Sequence, residues 1–233
     1  MNITKLNEKI KAKNQKFTRL TKAEKRVEIA LDVLAQLKAK KIEALVGAGW
    51  GEITLKKSST AEEFDGSRQL NELISTKAQS CTACALGAMF IGAVDKFNHL
   101  KVGECETEYG EGNGYGNGAC NIFNETEEYY GGNKTAFLYI EYPHAYLEKF
   151  FPKKQLLLIE TAFEGGEGAT DEEDFDNPAD YETAASYLKG VSNQNKRLEL
   201  LMKNIVANNG IFDLTLKPIK RKVFGVKRWV LAR

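Results

Sequence analysis

Two cysteines three residues apart, Cys81 and Cys84, are the side chains of this chain best placed to do chemistry; they lie in the segment "QSCTACALGAMFIGAVDKF". A thiol at the start of a helix meets unpaired backbone N–H groups and the helix dipole, which lower its pKa and favour the thiolate. A thiolate nucleophile also needs a base beside it, and His144 is the candidate. One hypothesis is therefore a hydrolase or transferase that uses Cys81 or Cys84 with His144.

The same segment also fits a purely structural role. Small side chains on one helical face let a second helix approach closely, and a free cysteine often acts as a small buried apolar group. A thioredoxin-like motif needs a strand just before it, which residues 57–79 do not suggest. Zinc would require cysteines 81, 84, 105 and 120, but fourteen residues separate the second pair. We favour the core role and expect neither a metal nor another cofactor.

Basic and aromatic side chains alternate near the carboxyl terminus, in "KPIKRKVFGVKRWVLAR". This combination suits contacts with a nucleic-acid backbone and a stacked base. A basic strand can also protect the edge of a sheet against aggregation, which is the alternative without a ligand. The candidate binding residues here are Lys220, Arg221, Lys222, Lys227, Arg228 and Trp229.

The net charge of +1 conceals three charged blocks. Residues 1–57 hold 14 Lys/Arg and 6 Asp/Glu, net +8, and residues 187–233 hold 11 and 2, net +9. Residues 102–186 hold 4 and 19, net −15. Such blocks either neutralise one another within the fold or serve as separate binding faces. A dense acidic surface can imitate nucleic acid, and its candidate residues are Glu172, Glu173, Asp174 and Asp176.

Helix signals and alternating patterns define the elements that must position these side chains. Thr21 and Glu24 form a capping box, and the apolar residues that follow recur at helical spacing. Prolines at first-turn positions and glycines after the last turn bound the later helices. The predicted helices cover residues 22–40, about 81–97, 153–164, and about 194 to 208.

The fold class predicted from these elements is α+β, a mainly helical single domain over residues 1–233. A small β-hairpin or sheet is expected near residues 42–56 and in the C-terminal segment, where β-formers alternate with polar residues. Long loops are expected at about 103–133 and 165–182, which are rich in glycine or acids. No apolar run reaches 18 residues and no apolar segment follows the charged start, so we expect no membrane contact and a cytoplasmic location.

Four segments, in order, carry a resemblance to known proteins: "KRVEIALDVLAQLKAKKIEA", "CTACALGAMF", "LLLIETAFEG" and "NKRLELLMKNIVANNGIF". They resemble a group of uncharacterised proteins encoded by bacteriophages and some bacteria, whose shared mark is a C-A-x-G-A element, here residues 84–88. The resemblance implies phage origin and an accessory role in an infected cell, and it supplies no catalytic residues.

The function expected from all of these features is a non-enzymatic phage accessory protein in the host cytoplasm, with a host-interaction or anti-defence role. It would bind a host or defence macromolecule, a protein above all, through its charged surfaces. Two alternatives stay open: the cysteine–histidine enzyme, and a nucleic-acid-binding protein that uses the basic C-terminal segment.

Overall fold

The computed structural model describes residues 19–47, 51–55, 69–97, 124–129, 133–140, 143–166, 175–223 and 226–233. The fold is α+β and mainly helical, as the sequence predicts. The helices are α1 (Lys22–Lys38), α2 (Leu70–Lys77), α3 (Ala85–Phe97), α4 (His144–Leu147), α5 (Lys153–Glu164), α6 (Pro178–Ser186) and α7 (Gln194–Ala207). The strands are β1 (Ile42–Ala44), β2 (Gly51–Leu55), β3 (Ala78–Ala83), β4 (Asn124–Tyr129), β5 (Asn133–Ile140), β6 (Lys217–Val223) and β7 (Val226–Ala232).

Helix α1 begins where the sequence predicts, at its capping box. The Glu24 carboxylate accepts the Thr21 backbone N–H at 2.7 Å, and the Thr21 hydroxyl accepts the Glu24 N–H at 3.2 Å. These two bonds satisfy two backbone donors that the first turn would leave unpaired. The predicted helix over residues 22–40 is confirmed to within two residues at its end.

Helix α3 lies at the centre of the core. All of its residues except Asp95 and Lys96 are buried, and α1, α4 and α5 pack around it. Gly92 permits the contact with α1, because a Cβ there would lie 3.1 Å from the Ile29 carbonyl oxygen and 3.2 Å from Val33 Cγ2. The expected stripe of small side chains therefore allows close helix packing.

The main sheet has five strands in the order β1-β3-β2-β5-β4, with β1 parallel to β3 and the other neighbouring pairs antiparallel. Strands therefore occur near residues 42–56 as predicted, but β1 and β2 do not pair with each other. β3 lies between them, with Cys81 opposite Ile42 on one side and Ile53 on the other. The prediction that a helix starts near residue 81 was therefore wrong, since pairing on both sides holds this backbone extended to Ala83 and the helix starts at Ala85.

Regular structure also replaces parts of both predicted loops. Within 103–133, residues 124–129 form β4, paired along its length with β5; residues 103–123 and 130–132 lie outside the described residues. Within 165–182, α6 begins at Pro178, because the Asn177 side chain accepts the Ala179 N–H at 3.2 Å and the proline fits the first helical turn. Residues 167–174 lie outside the described residues.

The last helix and the C-terminal hairpin follow the sequence prediction. The apolar stripe of α7 is fully buried at Leu198, Leu201, Met202 and Ile205. Strands β6 and β7 form a separate two-stranded antiparallel sheet, and β7 packs against α7. Among the described residues, no helix has the length and apolar character needed to cross a membrane.

Candidate functional site

The two cysteines are part of the core. Cys81 is 6% exposed on β3 and Cys84 is 1% exposed just before α3, where its sulfur accepts the Gly87 N–H at 3.4 Å. Burial raises the pKa of each thiol to about 12, and nearby carboxylates, Glu52 for Cys81 and Glu160 for Cys84, add to the effect. Both thiols are therefore protonated at neutral pH, which disfavours a nucleophilic role.

His144, the proposed partner of the cysteines, has a different neighbour. Its Nε2 lies 3.1 Å from Glu160 Oε2, and its side chain is 35% exposed at the start of α4. Glu160 is only 5% exposed, so the imidazole covers a buried carboxyl group on α5. The geometry joins His144 to Glu160, and it gives neither cysteine the exposed thiol that the enzyme hypothesis requires.

A cleft of about 640 Å³ opens beside the C-terminal end of α5. Its floor carries Glu164, a second buried acid on the same helix, four residues after Glu160. Two acids four residues apart in the otherwise apolar "LLLIETAFEG" are the sequence signal that could have identified this pair, which is not among the predicted site residues. The residues that line the cleft are Val46, Glu164, Gly165, Tyr181, Glu182, Ala185, Ser186, Lys189, Val191, Ser192, Gln194 and Arg197.

Two sequence-distant segments frame the cleft. The side chains of Asn195 and Gln194, at the start of α7, accept the backbone N–H groups of Ala44 and Val46 at 2.7 and 3.4 Å. These bonds cover the outer edge of β1, which would otherwise present unpaired donors. They also hold the turn after β1 against α5, where the Gly47 N–H donates to Glu164 Oε2 at 2.5 Å.

Glu164 is a carboxyl group whose pKa is raised to about 7, chiefly by burial and further by the nearby Glu160. The Gly47 hydrogen bond and the Arg197 charge oppose this increase without cancelling it. Glu164 therefore changes its charge near neutral pH at the floor of a cleft that solvent can enter. A carboxyl group in this setting can exchange a proton or pair with a cationic ligand.

Arg197 on α7 closes the end of α5. Its Nε donates to the Phe163 carbonyl at 2.8 Å, its Nη2 to the Ala162 carbonyl at 3.2 Å, and its Nη1 to the Val191 carbonyl at 3.5 Å. Gly165 leaves room for the guanidinium, because a Cβ there would lie 3.2 Å from Nη2 and the backbone φ is +78°. Arg197 thus serves the helix end, whose last carbonyls have no partner within the helix.

The basic C-terminal hairpin, β6 with β7, places like charges directly opposite each other. Arg221 pairs with Arg228 and Lys222 with Lys227 in the strand register. Opposite residues share a face of the hairpin and neighbouring residues alternate, so these two pairs lie on opposite faces. All four side chains are exposed, as are Lys217 and Lys220, and none of the six has an acidic partner within 4.0 Å among the described residues.

Trp229 is half-buried and packs against the hydrophobic core together with Leu231. The ammonium group of Lys220, its cross-strand neighbour, lies 4.9 Å from the centroid of the ring. The ring is therefore occupied by contacts within the protein. It anchors the hairpin more readily than it offers a free face for a stacked base.

Asn204, fully buried on α7, ties the base of the hairpin to the core. Its amide nitrogen donates to the Tyr187 hydroxyl at 2.6 Å and to the Asp213 carbonyl at 2.7 Å, and its oxygen accepts the Asp213 N–H at 2.9 Å. The Tyr187 hydroxyl in turn donates to the carbonyl of Leu216, just before β6. This network fixes where the hairpin leaves the helical body.

Most of the acidic candidates and two of the four cysteines lie outside the described residues. Of the acidic set, Asp176 is exposed, and Glu172, Glu173 and Asp174 lie outside the described residues. Among the described residues no group of three or more His, Cys, Asp or Glu side chains is placed to hold a metal ion, and Cys105 and Cys120 are not among them. Comparison of the chain with protein-family models, with curated proteins and with solved structures found no match in any of the three.

Proposed function

We propose that this protein is a non-enzymatic binding protein whose basic hairpin binds nucleic acid through the phosphate backbone. The observation that carries the proposal is the strand register, which sets Arg221 against Arg228 and Lys222 against Lys227. Like charges directly opposite on a hairpin destabilise it. A polyanion that neutralises both pairs relieves this repulsion, so binding and hairpin stability support each other.

The two-faced arrangement favours a duplex over other polyanions. A two-stranded β-ribbon fits the major groove of B-form DNA, where phosphates line both walls. The lysine pair lies on the face that carries Trp229 but two residues nearer the turn, and the arginine pair lies on the other face. Both pairs are exposed, so each can contact the phosphates of one wall. Binding of this kind releases counterions and depends on charge, so it is strongly sensitive to salt and weakly sensitive to base sequence.

The position of Trp229 further separates this proposal from single-strand binding. Its ring lies against the core and under Lys220, so base stacking contributes little. Proteins that prefer single strands depend on such stacking for a large part of their affinity. The protein should therefore bind duplex DNA more tightly than a single strand of the same length.

The test replaces Arg221, Lys222 and Arg228 together by Gln and measures binding to a fluorescent 20-base-pair DNA by anisotropy across a salt series. Three lost phosphate contacts should weaken binding by at least about tenfold at low salt and reduce the slope of log K against log salt by about three. The matched control removes three exposed charges elsewhere, with Lys38, Lys41 and Lys153 replaced by Gln. It should keep most of the affinity and the slope.

Loss of equal size in both variants would show that total charge, and not the hairpin, holds the DNA. Absence of binding at low salt would contradict the proposal, as would tight binding of the hairpin to an acidic polypeptide with none to duplex or single strand. Circular dichroism and thermal unfolding of both variants check that the fold is retained.

The wider setting of this function rests on the resemblance to phage-encoded proteins. In that setting the protein acts in the cytoplasm of the infected cell, on host or phage nucleic acid or on a defence assembly that carries it. A host protein bound through the acidic residues near Asp176 is the second candidate function, favoured by the net charge of −15 over residues 102–186. Capture of partners from infected cells, with and without nuclease treatment, distinguishes the two.

A further inference from the structure

The cleft beside α5 is separate from the hairpin and has its own electrostatic character. Four charged residues line it: Glu164, Glu182, Lys189 and Arg197. Of these, Glu182 and Lys189 are exposed, so water and salt screen their charges. Glu164 is 5% exposed at the floor, where the effective dielectric constant is lower and a charge acts more strongly on a ligand.

Arg197 is the cation at this end of the cleft, and its charge opposes the increase in the pKa of Glu164. Arg197 directs hydrogen bonds to the backbone carbonyls of residues 162, 163 and 191. Those carbonyls belong in part to the last turn of α5, the end of a helix that carries partial negative charge. The guanidinium of Arg197 thus shows that this helix end attracts a cationic N–H donor. The Glu164 carboxyl group beside it accepts the Gly47 N–H.

We propose that the cleft is a binding site for a small organic cation, whose ammonium or guanidinium group pairs with the carboxylate of Glu164. A compact N–H donor of this kind suits a buried carboxylate, because a well-aligned charge-assisted hydrogen bond recovers part of the cost of taking both charges out of water. The exposed Glu182 and Lys189 at the same cleft carry opposite charges and are screened, so the buried Glu164 carboxylate sets the preference for a cation. The apolar part of the wall, Val46, Ala185 and Val191, accommodates a short methylene chain.

The probe is agmatine, which carries a guanidinium and an ammonium on a four-carbon chain, and glutarate of similar length serves as the anionic comparison. Isothermal titration calorimetry at pH 8.0 should show saturable binding of agmatine and none of glutarate. Glu164→Gln should weaken agmatine binding by at least about tenfold, since it removes the charge from the pair. Glu148→Gln, which neutralises an exposed acid outside the cleft, should leave binding unchanged.

Binding should also weaken at low pH, because protonation of Glu164 competes with the ligand. Since the pKa of this carboxyl group is raised to about 7, agmatine should bind about 30-fold more weakly at pH 5.5 than at pH 8.0. The charged and titratable groups around it are Glu160 on α5, Cys84 before α3, Arg197 on α7, Lys189 and Glu182, with His144 behind Glu160. Agmatine binding to the His144→Gln variant should show the same pH dependence as binding to the wild type. That result would assign the pH dependence to Glu164 and not to His144.

Three results would overturn this proposal: no saturable binding of agmatine at pH 8.0, equal affinity in Glu164→Gln, or stronger binding of glutarate than of agmatine. Thermal unfolding of the variants shows whether they are folded. If Glu164→Gln does not fold, Glu182→Gln provides the second test, with an expected loss of about two- to fivefold from an exposed charge. Unchanged affinity in that variant would count against the proposal.

Discussion

Burial of the Glu164 carboxyl group has a desolvation cost, which the stability of the rest of the fold must offset. Its carboxyl group is 5% exposed and close to a second buried acid, and both features disfavour its charged form. Among the described residues, the Gly47 N–H and the charge of Arg197 favour that form without offsetting the effect of burial. Buried acids without a full set of partners are more typical of binding or proton-transfer sites than of optimised cores.

At the residue scale we expect Glu164→Gln to change the dependence of stability on pH. The folded pKa is about 7 against an ordinary value of 4.5, so Glu164 favours the folded state below pH 4.5 and loses this effect as pH rises to about 7. The loss is on the order of 3 kcal/mol. Relative to the wild type, the free energy of unfolding of Glu164→Gln should therefore increase by that order between pH 4.5 and pH 8.

Urea unfolding at pH 4.5, 6 and 8 measures this difference. The exposed Glu148→Gln provides the control and should follow the wild type at each pH. A Glu164→Gln curve parallel to the wild type would mean that the carboxyl group is not desolvated in the folded state.

At the element scale, the approach of the turn after α7 to α1 depends on one glycine. Gly210 has a φ of +86°, and a Cβ there would overlap the Ala23 carbonyl oxygen and lie 3.0 Å from Arg26 Cβ. Gly190 has nearly the same φ, +82°, with nothing within 4 Å of a Cβ. The two glycines thus separate the effect of backbone strain from that of close packing.

Gly190→Ala should reduce the free energy of unfolding by about 1 kcal/mol, the cost of a left-handed conformation. Gly210→Ala should lose at least about 2 kcal/mol more, since α7 must shift away from α1. Chemical unfolding of both variants measures the two losses. Equal losses would show that the helix contact is not as close as described.

At the scale of the whole molecule, the thiols report on global unfolding. Cys81 and Cys84 lie in the continuous core and have pKa values raised to about 12, so reaction requires both exposure and deprotonation. In a variant with Cys105 and Cys120 replaced by Ser, these two thiols should react with a disulfide reagent at least about a thousandfold more slowly than a free peptide thiol.

The same variant unfolded in urea provides the control and should react at the peptide rate. A native thiol that reacts at the rate of a free thiol would place it at an accessible site. That result would return the cysteine–histidine enzyme to consideration.

Sequence signals that act within a few residues determined much of this fold. Three features depend only on local hydrogen bonds or on the helical repeat: the capping box at Thr21, the helix end at Gly165 and the buried stripe of α7. The sequence therefore predicted each of them correctly. The alternation in the last segment likewise predicted the hairpin. The helix start at Asn177–Pro178 was also local, but the acidic composition around it concealed the signal.

The contacts between segments that are distant in the sequence were decided only by the tertiary structure. β3 became a strand because β1 and β2 pair with it on both sides, although its residues read locally as the beginning of a helix. The same long-range packing brought Gly47, Glu164 and Arg197 together from three parts of the chain. Burial of a thiol or a carboxyl group depends on everything packed around it, and no local pattern contains that information.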